Sequence, residues 1–243
     1  MTYCVGMLLE SGLVMAADTR TNAGVDNVGK FKKLHTWEYP GDRVFVLLTA
    51  GNLAVTQAVI SNLTEQIAQP PEAGETLKTT KTMFQAAHIV GRAVRAVKES
   101  DEGFLTANGE AFAASFIFGG QIGSEPPRLF NIYAAGNFIE ATADTPFFQI
   151  GEHKYGKPIL DRVARSSMEL GEAAKMILIS FDSTLRSNLS VGLPIDLLTY
   201  ETDKLKIEHT KRIGPDDPYF KMLSTEWSKA LRAAFSNIEA LDI

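Results

Sequence analysis

The order in which strand-like and helix-like segments follow one another limits the fold of this chain more than any other property. Residues 2–9 form an apolar, β-rich run, Glu10-Ser11-Gly12 is a turn, and residues 13–17 form a second apolar run ending in Asp18. This predicts a hairpin at the start of the sequence. Two more strands are expected at 31–37 and 43–50, around the turn Pro40-Gly41-Asp42. A helix then runs to about residue 68. Asn52 is its expected N-cap, Val55, Val59, Leu63 and Ile67 share one face, and Pro70-Pro71 ends it. A second helix, 79–99, turns Met83, Ala87, Val90, Val94 and Val97 inward and carries His88 as a structural residue. After a bend at 101–109, strands are expected near 111–119, 128–134, 137–142 and 147–150. Helix signals return from Pro158 to Arg165, and Ser166-x-x-Glu169 reads as a capping box for a helix to about Arg186. Strands at 195–200 and 205–209 follow. Asp216-Asp217-Pro218 then starts a helix in which Tyr219, Leu223, Trp227, Leu231, Phe235 and Ile238 recur every three or four residues.

Antiparallel strand blocks separated by helix pairs let helices cover both outer faces of a two-sheet stack. The expected class is α+β, a four-layer αββα sandwich in one domain over 1–243, with a C-terminal helical extension at about 217–240. A doubly wound sheet is disfavoured because single strand–helix alternation is absent.

Composition narrows the function classes. The formal charge is −5 and no basic run interrupts the sequence, so nothing marks a nucleic-acid or membrane-surface partner. The lone Cys4 excludes an internal disulfide, and the four histidines show no ligand spacing, so no metal is implied. Glu10 interrupts the only stretch resembling a signal peptide, and no run reaches about 18 apolar residues, so a cytoplasmic protein is expected.

The familiar catalytic signatures, G-x-S-x-G, GxxxxGK[ST], H-E-x-x-H and a Gly-rich dinucleotide loop, are missing. Attention moves to the N-terminus. Thr2 is small enough to favour removal of Met1, which leaves a threonine with a free α-amine at the start of a strand. Its hydroxyl is a nucleophile, and its amine, with an ordinary pKa of about 7.7 to 8, is a general base near neutral pH. Such a site needs a buried cation, an acid to position it and an N–H for the oxyanion. Lys33, Asp18 and the N–H of Gly51 are the candidates, with Lys33 expected in the next strand. Cys4 falls on the same sheet face as Thr2, has no basic partner in sequence and is read as core.

The segments Ala17-Asp18-x-Arg20-x-x-Ala23-Gly24, Phe31-Lys32-Lys33-Leu34 and Thr49-Ala50-Gly51-Asn52 together resemble the β-subunits of the 20S proteasome. The opening MTYCVGMLLESGLVMAADTRTNAGVDN is closer still to the bacterial Anbu ("ancestral β-subunit") group, within the N-terminal-nucleophile hydrolases. The resemblance implies the αββα fold and a threonine peptidase without metal or organic cofactor. It implies Thr2 as nucleophile and base, Lys33 as cation, Asp18 as its partner, Gly51 as oxyanion donor, Ser190 as a supporting serine and Arg20 as a structural ion pair. Lys33 is preferred to Lys32 because it precedes the aliphatic Leu34. Thr21, Phe31, His35, Thr49 and Leu53 align with substrate-binding positions, and Ser187 and Asn188 lie in the supporting shell. Self-assembly is also implied, as an open helical or lock-washer stack through the helices at 52–68 and 79–99. An unfolding ATPase or adaptor is left open as a further partner.

Two positions depart from that pattern. Ser187 stands where the proteasome has an aspartate, and Glu152 of Gly151-Glu152 stands where it has a serine near the threonine. Three functional readings are therefore carried forward: a threonine hydrolase of peptide or other amide bonds, an assembling scaffold or binding subunit without useful turnover, and a small-molecule amidase of the same superfamily.

Overall fold

Alternation along β1 (Tyr3–Leu9) divides its side chains between two cores in a computed structural model that describes residues 2–22, 28–70 and 74–242. Tyr3, Val5, Met7 and Leu9 pack outward against helices, whereas Cys4 packs inward between two sheets. The partner strand β2 (Gly12–Asp18) follows the same rule, with Val14 and Ala16 outward and Leu13, Met15 and Ala17 inward.

The chain continues through β3 (Arg20–Asn22), β4 (Val28–Lys30), β5 (Leu34–Tyr39), β6 (Arg43–Gly51), α1 (Leu53–Ala68), α2 (Met83–Ala107), β7 (Ala114–Ile122), β8 (Arg128–Ile132), β9 (Phe138–Glu140) and β10 (Phe147–Gly151). It ends with α3 (Lys157–Val163), α4 (Leu170–Ser187), β11 (Ile195–Glu201), β12 (His209–Ile213) and α5 (Pro218–Ser236). One sheet has the strand order β10-β1-β2-β11-β12 and the other β5-β6-β7-β8-β9; β3 and β4 pair apart from both. The strand pairs in all three are antiparallel. Helices α1 and α2 cover the second sheet and α4 covers the first, with α5 against α4, so the four-layer αββα sandwich holds.

Several boundaries differ from expectation, each for a local reason. Among the described residues six strands, not four, precede the first helix, because Arg20–Asn22 and Val28–Lys30 pair as strands too short for a periodic signal. Residues 31–33 lie outside β5, so Lys33 approaches from an irregular segment rather than from a strand. The expected bend after 100 is helical to Ala107, since Gly103 costs little more than its helix propensity there and Asn108 caps the end. Ser166 does not cap α4; Glu169 is its N-cap, without a side-chain bond to the helix. The expected strand at 205–209 falls at His209–Ile213, beside Ile195–Thr199. The Ala23-Gly24 portion of the proteasome-like motif, Pro71 and Met1 lie outside the described residues. Among the described residues no helix is long and apolar enough to cross a membrane.

Asn52 caps α1 as expected, its side chain accepting from the N–H groups of Ala54 and Val55. This fixes where β6 stops and α1 begins, at Gly51.

Candidate active site

Strand register brings four distant segments to one end of the sandwich. Asp18 closes β2, which lies between β1 and β11; the N–H of Tyr3 donates to Asp18 Oδ1 at 3.0 Å on one side, and Asp18 faces Ile195 on the other. The Lys33 ammonium donates to the same Oδ1 at 2.7 Å and to the Arg20 carbonyl at 2.5 Å. The N–H of Gly192 donates to Asp18 Oδ2 at 3.2 Å. Asp18 and Lys33 are both almost fully buried, whereas Lys32 is exposed, so the ion pair is shielded from solvent. Burial pushes the Asp18 carboxyl above its ordinary value, and the Lys33 ammonium and two backbone donors pull it back.

Thr2 directly precedes the residue whose N–H meets Asp18. It is only 8% exposed, and its carbonyl accepts the N–H of Glu152 at 2.6 Å. Gly151 makes this approach possible. Its φ is +80°, and a Cβ there would stand 2.0 Å from the Thr2 carbonyl oxygen. Gly41 has nearly the same φ, +79°, but nothing lies within 4 Å of a Cβ built on it. Gly41→Ala therefore isolates the backbone strain, about 1–2 kcal/mol, and Gly151→Ala should lose clearly more in denaturant unfolding because it also displaces Thr2. Equal losses would show that Thr2 is not held by this contact.

The end of β6 lies at the same edge. Cys4 Sγ donates to the Thr49 carbonyl at 3.6 Å, and Gly6 sits against Ile117, which pairs with Leu48. As β1 runs away from Thr2, β6 therefore runs toward it, and Gly51 ends β6 exposed, with φ +120° and no room for a side chain against Ala113. Cys4 itself is fully buried and burial pushes its thiol up, consistent with a core residue.

The α4–β11 loop closes the site from below. Asn188, 8% exposed, donates through Nδ2 to Glu152 Oε2 at 2.9 Å and accepts the N–H of Ser190 at 2.9 Å. Ser190 is half-buried, and Ser187 ends α4 on solvent. Arg20 departs from the expected ion pair. It donates to the Leu189 carbonyl at 2.9 Å and packs against Gly192, and no carboxylate pairs with it among the described residues.

The residues expected to bind substrate fall in two groups. His35 and Thr49 lie on the helix-facing side of the second sheet, near the start of α1 at Leu53. Thr21 and Phe31 belong to the β3–β4 arm; the Thr21 hydroxyl is buried with no hydrogen-bond partner, and Phe31 is 40% exposed. Burial and the nearby Lys32 ammonium push the His35 imidazole down to about 4. The unfolded chain therefore takes up this proton first as pH falls. The contribution is complete above about 6.5 and is lost between there and about 4. His35→Gln should flatten stability between pH 7 and 4 by up to about 3 kcal/mol, read from urea midpoints; an unchanged slope would place the imidazole in water.

A family model for the proteasome, described as proteasome subunit, matches residues 2–198. An Anbu (Gly-1) mutant from Hyphomicrobium sp. strain MC1 is 62% identical, with 100% of both chains covered and a TM-score of 0.93. Anbu (ancestral beta-subunit) from Yersinia bercovieri is 46% identical over 99% of both chains, also with a TM-score of 0.93. The chain belongs to the proteasome family, in its Anbu group. The helical assembly of the Anbu complex from Pseudomonas aeruginosa supplies a third similar structure, 45% identical over 99% of this chain and 98% of that one, with a TM-score of 0.93. No curated protein sequence matched the chain.

For an Anbu-group chain, the informative contacts are those that residue-by-residue transfer missed. Gly192 and Tyr3 act on Asp18 through backbone N–H groups, so their residue types carry no signal. Glu152 and Asn188 pair with each other, although sequence comparison marks them separately, one as a departure and one as supporting.

Proposed function

We propose that this chain is an N-terminal threonine hydrolase that cleaves peptide or other amide bonds through an acyl-enzyme on Thr2. The observation that carries this reading is the buried Asp18 carboxylate shared between the Lys33 ammonium and the N–H beside Thr2. With Met1 removed, the α-amine of Thr2 takes the hydroxyl proton as Oγ1 attacks the substrate carbonyl. Lys33 stabilises the developing alkoxide, and the N–H of Gly51 faces the oxyanion. The tetrahedral intermediate collapses, the amine nitrogen leaves with the proton, and an ester to Thr2 remains. Water, deprotonated by the same amine, then releases the acid and restores the hydroxyl.

The chain also self-assembles in this proposal, as the similarity to the helically assembled Pseudomonas aeruginosa complex supports. The second reading, an assembly subunit without useful turnover, rests on the exposure of Ser187 where the proteasome carries an aspartate. Hydrolysis of a panel of N-acylated peptide amides by the assembled, Met1-processed protein distinguishes the two. Turnover that rises with the deprotonation of a single group supports the hydrolase, and absence of turnover across the panel supports the scaffold.

A further inference from the structure

Among the described residues, Glu152 is a buried acid without a cationic side chain beside it. It is 8% exposed, its carboxylate accepts the N–H of Lys154 at 2.8 Å and the amide of Asn188 at 2.9 Å, and no Lys, Arg or His side chain pairs with it among the described residues. A carboxylate removed from water with neutral donors only is costly unless a positive charge comes to it. Its own backbone N–H grips the Thr2 carbonyl, so Glu152 and the nucleophilic residue are tied together at one point. Gly151 is pressed against Thr2 in the same turn. The charge that processing would create here is the α-ammonium of Thr2.

We infer that Glu152, oriented by the Asn188 amide, is a positioning residue for that amine, holding it as an ammonium and thereby setting the pH above which it can act as a base. This rests on the reading of Thr2 as the exposed chain terminus. Among the described residues, the charged and titratable groups around the terminus are Asp18 from β2, Arg20 from β3, Lys33 from the segment before β5, Glu152 from the β10–α3 turn, and Tyr3 and Cys4 from β1. Burial keeps Tyr3 and Cys4 neutral by pushing both groups up. His153 and Lys154 are exposed to solvent. Lys33 and Asp18 pair at 2.7 Å, and the Arg20 guanidinium is only partly buried and held at the Leu189 carbonyl, which leaves Glu152 as the buried charge without a counter-ion among the described residues of the site. The acid that the proteasome pattern places at position 187 is thus supplied in this chain from position 152, across the site, and the amide of Asn188 orients it.

The consequence runs against the usual expectation for loss of an acidic site residue. Glu152→Gln removes the charge at nearly constant shape, so the Thr2 amine loses its proton at lower pH and the site becomes competent in more acidic solution. The test needs no turnover. The assembled full chain with Thr2 as its first residue is reacted with formaldehyde and cyanoborohydride across a pH series, and methylation of the Thr2 amine is read by peptide mass. The midpoint in the wild type should lie above the ordinary α-amine range of about 7.7 to 8. In Glu152→Gln it should fall by at least about one unit, a roughly tenfold gain in labelling at a pH well below both midpoints. Glu152→Asp, which keeps the charge, should fall between them. A wild-type midpoint within or below the ordinary range, or a Glu152→Gln midpoint matching the wild type, would overturn the proposal. A shift without peptide hydrolysis would instead uphold this role for Glu152 while contradicting the hydrolase reading.

Discussion

Thr2→Ala will lower kcat/KM for peptide amides by at least about 10³-fold while leaving folding and assembly intact. The asymmetry follows from how Thr2 is held. Its contacts to the rest of the site run through its main chain: the carbonyl to the N–H of Glu152, and the next N–H to Asp18. Among the described residues its hydroxyl makes no hydrogen bond, so the group proposed to do the chemistry contributes little to the fold. Denaturant unfolding should shift by no more than about 1 kcal/mol. Thr2→Ser, which retains a hydroxyl and an amine, should keep measurable turnover. Equal turnover in the wild type and in Thr2→Ala would remove Thr2 from the chemistry and favour the scaffold reading.

Asp18 and Lys33 should behave in the opposite way, because their loss damages the fold and the site together. Asp18→Ala leaves the buried Lys33 ammonium and the N–H groups of Tyr3 and Gly192 without their shared acceptor. A cost of about 3–5 kcal/mol is expected, together with loss of activity. Lys33→Met leaves the Asp18 carboxylate with backbone donors only and should cost a similar amount. Combined with Asp18→Asn it should cost less than the sum of the two single changes, by about 1–3 kcal/mol, since no unpaired charge remains. The double variant should stay inactive, as it lacks the cation that stabilises the attacking oxygen. Additive stability losses would mean that the pair at 2.7 Å is not coupled.

The parts of this account that were legible in the sequence are those carried by side-chain type and period. Val55, Val59 and Leu63 on α1, and Met83 to Val97 on α2, announce their buried face through spacing alone. The alternation that separates Tyr3 from Cys4 does the same for β1. The candidate residues Thr2, Asp18 and Lys33 could be proposed because nucleophile, acid and cation each demand a particular side chain. What stayed hidden is set by main-chain geometry and by pairing over long separations. The short β3–β4 pair has no period to detect. Lys33 reaches Asp18 from an irregular segment, which alternation does not describe. Arg20 meets a carbonyl at Leu189 where an ion pair was expected, because the α4–β11 loop turns its backbone toward it. The bond between Glu152 and Asn188 joins residues 36 apart that no local pattern connects.

The central claim is that Thr2 presents a hydroxyl and a free amine to the same electrophile. An α′,β′-epoxyketone tests both at once, since it closes a ring only when the two groups belong to one N-terminal residue. The intact mass of the purified, assembled protein should be short by one methionine, and should rise by one inhibitor per chain on treatment, with the increment mapped to the peptide that begins at Thr2. A processed and folded chain that takes up no inhibitor across epoxyketones of differing side chains, or takes it up equally in Thr2→Ala, would contradict the account.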